Sequence, residues 1–225
     1  MNRENLTQAI EDYLKTIYDL TVTHGRASTK QIAETLNVKP ASVTGMVQKL
    51  ASTDPPLVDY RKHRGVALTA EGETAALEVL RHHRLLEHFL YQILGFPWEN
   101  VHAEADRLEH VISEEFEERL AQFLGDPTHD PHGDPIPTRD LEMPAFATLC
   151  LADLQAGQHA IVKRVRDTDP DLLRYLAEIG LVPEAHFEVL DFSHFDENLK
   201  IRVAGRETPV VLGPGITCQI FVEVV

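Results

Sequence analysis

The chain has 225 residues, of which 43% are hydrophobic and 25% are charged, and its formal net charge is −15. This length allows one large domain or a few small ones, and no apolar run approaches the roughly 20 residues of a membrane span. Residues 1–5 are not followed by an apolar segment like that of a signal peptide, so we expect a cytoplasmic protein that makes no membrane contact.

The charge is distributed unevenly along the chain. Residues 39–64 carry five basic and two acidic side chains, a net charge of +3, whereas residues 99–120 carry eight acidic and two basic side chains, a net charge of −6. The negative total argues against nucleic-acid binding, but a local basic segment can bind phosphates even in an acidic chain. This pattern favours a protein that binds DNA with one part and cations with another.

The first predicted element is an amphipathic helix over residues 6–20. The apolar side chains that recur there at helical spacing are Leu6, Ile10, Leu14, Ile17 and Tyr18. Asp12 lies off this apolar stripe, beside Glu11, and belongs to the polar face of the predicted helix.

Two short helices joined by a turn follow. Ser28 and Gln31 form a capping-box pattern at the start of the first, residues 28–36, and Pro40 is tolerated in the first turn of the second, residues 39–50. The pattern predicts a helix-turn-helix, with a plain helical hairpin as the alternative. The apolar side chains expected to face inward are Ile32, Ala33, Leu36, Val38, Val43, Val47 and Leu50.

A strand, a basic tip and a second strand are predicted at residues 57–60, 61–65 and 66–69. This hairpin has the form of the wing of a winged helix. Short polar side chains let a helix enter the major groove, and lysine and arginine contact phosphates, so the combination predicts binding of double-stranded DNA. The residues expected to contact DNA are Thr29, Lys39, Pro40, Ala41, Ser42, Thr44, Gly45, Gln48, Lys49, Arg61, Lys62 and Arg64.

Imidazoles and carboxylates cluster in the middle of the chain. A helix over residues 73–88 places His83 and Glu87 one turn apart, on the same face. After a break that contains glycine and proline, a single helix is expected to run to about Leu124. One face of that helix carries His102, Asp106, Glu109 and His110. Such a face either binds a divalent cation or is a solvated acidic surface.

A loop follows these helices, and the two cysteines of the chain lie beyond it. Residues 126–137 are dense in proline and aspartate and predict a loop, in which His129 and His132 could hold a metal but an ordinary loop is favoured. We expect Cys150 and Cys218 to be reduced core residues, because free cysteine is among the most buried residue types.

The last third of the chain favours a small SH3-like barrel. One helix is predicted over residues 170–178, closed by Gly180. The short strands predicted around it cover residues 160–165, 186–190, 200–203, 209–212 and 218–224.

Several stretches of the sequence resemble the metal-dependent transcriptional repressors of the diphtheria toxin repressor and manganese transport regulator type (DtxR/MntR). These stretches are residues 11–18, 83–87, 101–111 and 133–137, within a match that covers residues 1 to about 140. Residues 172–190 resemble the FeoA-like domain that longer members carry. The resemblance implies a mainly α fold with a small all-β domain. Its expected parts are a winged helix-turn-helix at 1–72, a helical metal-binding and dimerisation domain at 73–140, a linker at 141–151 and an SH3-like domain at 152–225.

The resemblance also implies two metal sites in each subunit. The implied ligands are Asp12, Asp106, Glu109 and His110 in the first site and His83, Glu87 and His102 in the second. Asp171 matches a polar ligand that the C-terminal domain of some iron-responsive members adds to the second site, although helix N-capping explains this aspartate equally well. The family dimerises through the middle helices, and the metal-loaded homodimer binds a palindromic operator.

Departures from the family pattern bear on the identity of the metal. The positions of Asp12 and Asp106 hold Met and Cys in iron-responsive members and carboxylates in manganese-responsive ones. Hard carboxylate and imidazole ligands suit Mn²⁺, so we favour Mn²⁺ over Fe²⁺, which such ligands also bind. Lys15 stands where the manganese regulators with a tight two-metal cluster have a glutamate.

The expected function is therefore a metal-dependent, DNA-binding repressor of metal-ion homeostasis genes. The alternatives are an Fe²⁺-dependent repressor, a metalloenzyme that uses the same cluster, and a winged-helix regulator that binds a small organic ligand and no metal.

Overall fold

The computed structural model describes residues 6–166 and 169–225. The expectation of a signal-free N-terminus concerns residues 1–5, which lie outside the described residues. None of the helices within the described ranges is long and apolar enough to cross a membrane.

The described chain folds into two compact units. The first is the chain up to His82 together with Glu109–Ile112 and Pro137–Met143, and the second is His83–Leu108, Ser113–Ile136 and Pro144–Val225. The expected boundaries after residues 72, 140 and 151 concern independently folding domains and remain a prediction.

The first unit is a winged helix-turn-helix. Its elements are α1 (Gln8–His24), α2 (Thr29–Thr35), α3 (Pro40–Ala51), the antiparallel strands β1 (Val58–Arg61) and β2 (Gly65–Leu68), and the start of α4 (Ala70–Gln92). Ser28 and Gln31 make both hydrogen bonds of the capping box that begins α2, and the Thr69 hydroxyl accepts from the Gly72 N–H at the start of α4. The predicted helix-turn-helix and wing are confirmed.

An apolar core holds this unit together. The predicted inward-facing residues that are buried in it are Ile32, Ala33, Val43, Val47 and Leu50. The prediction for Val38 is wrong, because this side chain is 39% exposed. Val38 follows Asn37, whose φ of 52° turns the chain between the two helices and directs the next side chain outward.

Arg26 fastens the wing. Its guanidinium donates to the Asp59 carboxylate (Nη1–Oδ2 2.9 Å) and to the backbone oxygens of Asp59 (2.6 Å) and Gly65 (3.0 Å). The side-chain hydrogen bond from Arg26 lowers the pKa of Asp59. Arg26 therefore links both strands of the hairpin to the segment that follows α1.

The middle of the chain contains two helices where the sequence predicted one. These helices are α5 (Val101–Leu108) and α6 (Glu114–Phe123), so the prediction of a single helix to Leu124 is wrong. Ser113 starts the second helix by accepting a hydrogen bond from the Phe116 N–H. The two residues before Ser113, Val111 and Ile112, are β-branched and have low helix propensity.

The break between α5 and α6 means that the four metal-ligand candidates do not lie on one continuous helix. Glu109 and His110 lie in a turn after α5, whereas His102 and Asp106 lie one turn apart within α5. The prediction that all four share one helical face is therefore wrong.

The second unit contains a five-stranded antiparallel sheet with strand order β6-β5-β4-β3-β7. Its strands are β3 (His159–Val165), β4 (His186–Phe192), β5 (Leu199–Val203), β6 (Val210–Leu212) and β7 (Ile220–Val224). The helices around the sheet are α7 (Pro170–Ile179), α8 (Pro214–Thr217) and a 3-10 turn at Leu151–Asp153. The predicted small SH3-like all-β domain is confirmed.

Helix α7 has the ends that the sequence predicted. The Asp169 carboxylate accepts hydrogen bonds from the N–H groups of Asp171 and Leu172, and Gly180 adopts the left-handed conformation that closes the helix. The buried face of α7 packs in the core of the sheet, which Trp98 from the helical part of the same unit also joins.

Both cysteines lie outside the core, so the prediction of their burial is wrong. Cys218 is an exposed free thiol, and Cys150 is a partly buried free thiol. The neighbouring apolar residues Leu151 and Ile220 take the core positions, which leaves the two cysteines at the edge of the sheet.

Candidate metal centres and DNA-binding face

The first candidate centre lies in the first unit, between α1 and the turn that follows α5. Asp12, Glu109 and His110 each place one ligand atom within 4.8 Å of the other two. The His110 Nε2 lies 3.0 Å from Asp12 Oδ1 and 3.3 Å from Glu109 Oε1. Neighbouring ligands in an octahedral shell with bonds of about 2.1 Å lie about 3 Å apart. These donors therefore fit a divalent ion without rearrangement of the backbone.

Glu11 orients His110 from the opposite side. Its carboxylate lies 2.5 Å from His110 Nδ1, and both side chains are about 95% buried. Burial disfavours the imidazolium, but hydrogen bonds with Asp12 and Glu11 and the charge of Glu109 outweigh it and raise the pKa of His110 to about 9. A carboxylate behind a ligating imidazole fixes the ring orientation and leaves Nε2 facing the candidate centre. The sequence places Glu11 only beside Asp12, so this role was not predicted.

Lys15 also faces this centre. Its ammonium donates to both oxygens of the Glu109 carboxylate, at 2.7 and 2.8 Å. Lys15 lies one turn after Glu11 and Asp12 on α1, so the three side chains share one face of the helix. The pairing joins residues 94 positions apart, and local periodicity gives no signal for it.

The second candidate centre lies in the second unit, where α4 faces α5. His83 Nε2 lies 3.0 Å from Glu87 Oε1 and 3.0 Å from His102 Nδ1, and His102 Nδ1 lies 3.1 Å from Glu87 Oε1. The structure thus brings together the three residues that the family resemblance implies. Burial raises the pKa of Glu87, but the nearby imidazoles of His83, His102 and His132 outweigh it, and the pKa lies well below its usual range. The buried Glu87 carboxylate is therefore ionised, as a metal ligand has to be.

Asp106 lies beside this second group. Its carboxylate is 3.4 Å from His83 Nδ1 and 3.7 Å from His102 Nε2, and these three residues form a possible ligand set of their own. The sequence assigned Asp106 to the first site with Asp12. That assignment stays a prediction.

The loop that was expected to be ordinary contributes a further possible ligand set. Glu87, Asp130 and His132 are buried and place ligand atoms within 4.8 Å of one another. His132 Nε2 lies 2.9 Å from the Trp98 carbonyl oxygen, so Nε2 carries the proton and Nδ1 faces Glu87, 4.0 Å away. Within the described part of the chain, Glu87 Oε2 and His132 Nδ1 have no hydrogen-bond partner. Buried polar atoms without partners fit a cation at this position.

Asp171 does not lie in any of these ligand sets. Its carboxylate pairs with Arg174 at 2.8 Å and is 90% exposed, and its N–H donates to the Asp169 carboxylate at the start of α7. Its proposed role as a ligand stays a prediction.

The predicted DNA-binding side chains lie at the start of α2, on α3 and its N-cap, and on the wing. Those that are exposed are Lys39, Pro40, Ala41, Ser42, Gly45, Gln48, Lys49, Arg61, Lys62 and Arg64, and those that are half-buried are Thr29 and Thr44. A Cβ atom at Gly45 would meet nothing within 4 Å, so α3 presents open backbone at its centre. An exposed helix with small residues and a basic hairpin beside it has the form that enters the major groove.

Family profiles match most of the chain. Residues 5–66 match the iron dependent repressor N-terminal DNA binding domain, and residues 69–138 match the iron dependent repressor metal binding and dimerisation domain. Residues 149–224 match the FeoA domain.

Individual relatives and a solved structure agree with these profiles. The chain is similar to the iron-dependent repressor IdeR of Mycobacterium leprae (strain TN), with 34% identity over 203 residues, 82% of this chain and 85% of the relative. It is also similar to the HTH-type transcriptional regulator MntR of Oceanobacillus iheyensis, with 38% identity over 118 residues, 52% of this chain and 78% of that relative. A solved structure of a manganese-dependent transcriptional repressor in complex with manganese aligns with a TM-score of 0.88 and 36% identity, covering 96% of this chain and 100% of that chain.

These matches account for both the exposed helix and wing and the clustered oxygen and nitrogen donors. The relatives are DNA-binding repressors and not enzymes, so the metalloenzyme alternative has no support. The chain belongs to the iron-dependent repressor family, the DtxR/MntR-type metal-dependent transcriptional repressors.

Proposed function

We propose that this protein is a Mn²⁺-responsive repressor of metal-ion homeostasis genes. The observation that carries the proposal is the first candidate centre, in which Asp12 of the DNA-binding unit meets Glu109 and His110. Its donors are two carboxylates and one imidazole, without a thiol or thioether. Such hard ligands suit Mn²⁺, and Fe²⁺ is the second candidate because it accepts the same donors.

The side chains of the first centre couple α1 to the turn at residues 109–112. The Asp12 and Glu109 carboxylates repel each other, and Lys15 and His110 offset part of that repulsion when no metal ion is bound. A bound divalent ion supplies the positive charge that compensates both carboxylates. Glu11 keeps His110 aimed at the centre, and α1, which packs in the core with α2 and α3, is then held in one position.

A second metal site in each subunit belongs to the proposal. We place it at His83, Glu87 and His102, whose donor atoms lie about 3 Å apart. Asp106 stays a proposed ligand of the first site, and Asp171 a proposed ligand of the second.

The protein acts, in this proposal, as a cytoplasmic homodimer on a palindromic operator. The region that matches the metal binding and dimerisation profile exposes large apolar side chains, as dimer interfaces require before assembly. These side chains are Tyr91, Ile93, Leu94, Phe116 and Phe123. A two-fold dimer matches a two-fold operator, since each winged helix reads one half-site.

The test is operator binding by variants of the first centre. Duplex DNA is selected from a random pool by the wild-type protein in excess Mn²⁺, and fluorescence anisotropy then measures its affinity for Asp12→Ala and Glu109→Ala. We expect both variants to lose at least about tenfold in affinity, because each lacks one ligand (about 1.4 kcal/mol per factor of ten). Glu115→Ala, which removes a carboxylate that is 76% exposed, is the matched control.

Wild-type affinity in both variants would contradict the mechanism. The same titration with Fe²⁺ under anaerobic conditions, at matched free-metal levels, separates the two metals. Operator binding that a chelator leaves unchanged would instead support a regulator of small organic ligands.

A further inference from the structure

The Lys15 ammonium pairs with Glu109, a carboxylate that also belongs to the first candidate centre. Its ammonium lies 2.7 Å from one Glu109 oxygen and 2.8 Å from the other. The Glu109 side chain is 1% exposed and the Lys15 side chain 15% exposed, so this is a largely buried ion pair. A buried carboxylate without a compensating charge is costly, and Lys15 supplies that charge from within the chain.

The Glu109 oxygen that Lys15 contacts also faces the first centre. Glu109 Oε1 lies 2.7 Å from the Lys15 Nζ and 3.3 Å from His110 Nε2. A partner that only oriented Glu109 would engage the outer oxygen and leave the inner one to the centre. Lys15 engages both oxygens, so a cation that uses Glu109 as a ligand has to share or displace the ammonium.

We propose that Lys15 is a built-in competing cation, which lowers the affinity of the first centre for divalent metal and so raises the free-metal concentration at which the protein responds. This inference rests on the proposed function. Lys15 acts through Glu109 and is a positioning residue for that carboxylate, with a charge that opposes a second cation.

The size of the effect follows from electrostatics. An ion bonded to Glu109 Oε1 would lie within about 5 Å of the Lys15 Nζ. Even in the dielectric of water, a unit charge at about 5 Å opposes the binding of a divalent ion by at least about tenfold, and a partly buried site increases the effect. Removal of the ammonium therefore tightens metal binding even though it removes a contact that stabilises the fold.

The first experiment measures Mn²⁺ affinity by electron paramagnetic resonance of the free ion. Lys15→Met and Lys15→Gln both remove the charge. The glutamine amide can still donate a hydrogen bond, so Lys15→Gln keeps the experiment informative if Lys15→Met fails to fold. We expect both to bind Mn²⁺ at the first centre about tenfold more tightly than the wild type. Lys15→Arg should remain close to the wild type. Lys30→Met, which removes an ammonium that is 81% exposed, is the matched control and should change nothing. Equal or weaker affinity in Lys15→Gln overturns the proposal.

A second measurement separates competition from a purely structural role. In a chelator, Lys15→Met should melt at a lower temperature than the wild type, because Glu109 loses its counter-charge. On addition of Mn²⁺ its melting temperature should rise by more than that of the wild type. A lower melting temperature in chelator with an unchanged Mn²⁺-induced rise would show a structural role only and would overturn the proposal.

Glu109→Ala distinguishes this inference from the proposed function. If Glu109→Ala retains every Mn²⁺ equivalent of the wild type, the first centre is not a metal site and the proposed function fails. If Glu109→Ala loses one equivalent while Lys15→Gln binds as the wild type does, the centre stands and only the role of Lys15 is refuted.

Discussion

At the scale of single residues, the two nitrogens of His110 face different partners. Nδ1 contacts the buried carboxylate of Glu11, and Nε2 faces Asp12 and Glu109. Three carboxylates around one imidazole make its charged form favourable, which is why the pKa of His110 is raised to about 9. The same three carboxylates make the centre attractive to a cation. Proton and metal therefore compete for one position.

The raised pKa of His110 predicts how the stability of the metal-free protein depends on pH. The pKa rises from 6.5 in the unfolded chain to about 9 in the folded one. The stabilising contribution is therefore fully present below pH 6.5 and is lost as the pH rises through 9. We expect it to reach at most about 3 kcal/mol, since one pKa unit corresponds to about 1.4 kcal/mol.

Urea unfolding in the presence of a chelator, at intervals between pH 6 and pH 9.5, measures this contribution. His110→Gln should be less stable than the wild type at pH 6, and the difference should shrink towards pH 9.5. A constant difference across this range would show that the imidazolium is not stabilised by its neighbours.

At the scale of elements, the proline-rich loop after α6 is fixed to β3. The Val165 N–H donates to the His132 carbonyl oxygen at 2.9 Å, and Arg164 pairs with Asp134 at 3.1 Å. Gly133 adopts a φ of 89°, and a Cβ atom there would lie 1.9 Å from the Lys163 carbonyl oxygen. This position accepts only glycine, because the backbone of the loop touches the backbone of the strand.

Gly133→Ala should therefore cost the protein about 3 kcal/mol of unfolding free energy, from the positive φ and the steric contact together. Gly125→Ala is the matched control, since Gly125 has a φ of 78° but open space around its missing Cβ. Its expected cost is about 1 kcal/mol. Urea midpoints of the two variants measure the difference. Equal midpoints would mean that the loop moves away from β3 at little cost.

At the scale of the whole molecule, a chain with a net charge of −15 is predicted to bind DNA through a few basic side chains. The wing carries three of them, and they are not equivalent. Arg61 is held by Asp59, with the Nε 3.1 Å from the carboxylate, and both are partly exposed. Lys62 and Arg64 are exposed at the tip of the hairpin. The acidic remainder of the molecule discourages contact with DNA in other orientations.

These differences predict the salt dependence of operator binding. Lys62→Ala and Arg64→Ala should each reduce the slope of log affinity against log salt by about 1, because each loses one phosphate contact and the counterion release that goes with it. Arg61→Ala should reduce it by less, since Asp59 already compensates part of that charge. Anisotropy titrations in Mn²⁺ at several salt concentrations measure the slopes. Unchanged slopes in all three variants would show that the wing does not touch phosphates.

The local elements of this protein are readable from its residues. Ser28, Thr69, Asp169 and Gly180 start or end helices through hydrogen bonds and dihedral angles that involve only their neighbours in sequence. Apolar periodicity is also a property of neighbouring residues in sequence, and it predicts the winged helix and the strands of the small sheet. The residue types suited to a divalent metal are also visible in the sequence, and the family resemblance implies which of them to combine.

The convergence of distant residues depends on packing and could not be predicted in this way. The end of α5 at Leu108 places Glu109 and His110 in a turn, where a continuous helix would have left them beside Asp106. Lys15 meets Glu109 across 94 positions, and the buried His132 meets Glu87 from a loop that looks ordinary in sequence. Helical periodicity reflects local backbone geometry, whereas a buried charge takes its partner from whichever element the core brings next to it. The residue types of the metal ligands therefore follow from composition and spacing. The partners of these ligands, their pKa shifts and the competing ammonium of Lys15 follow from tertiary packing.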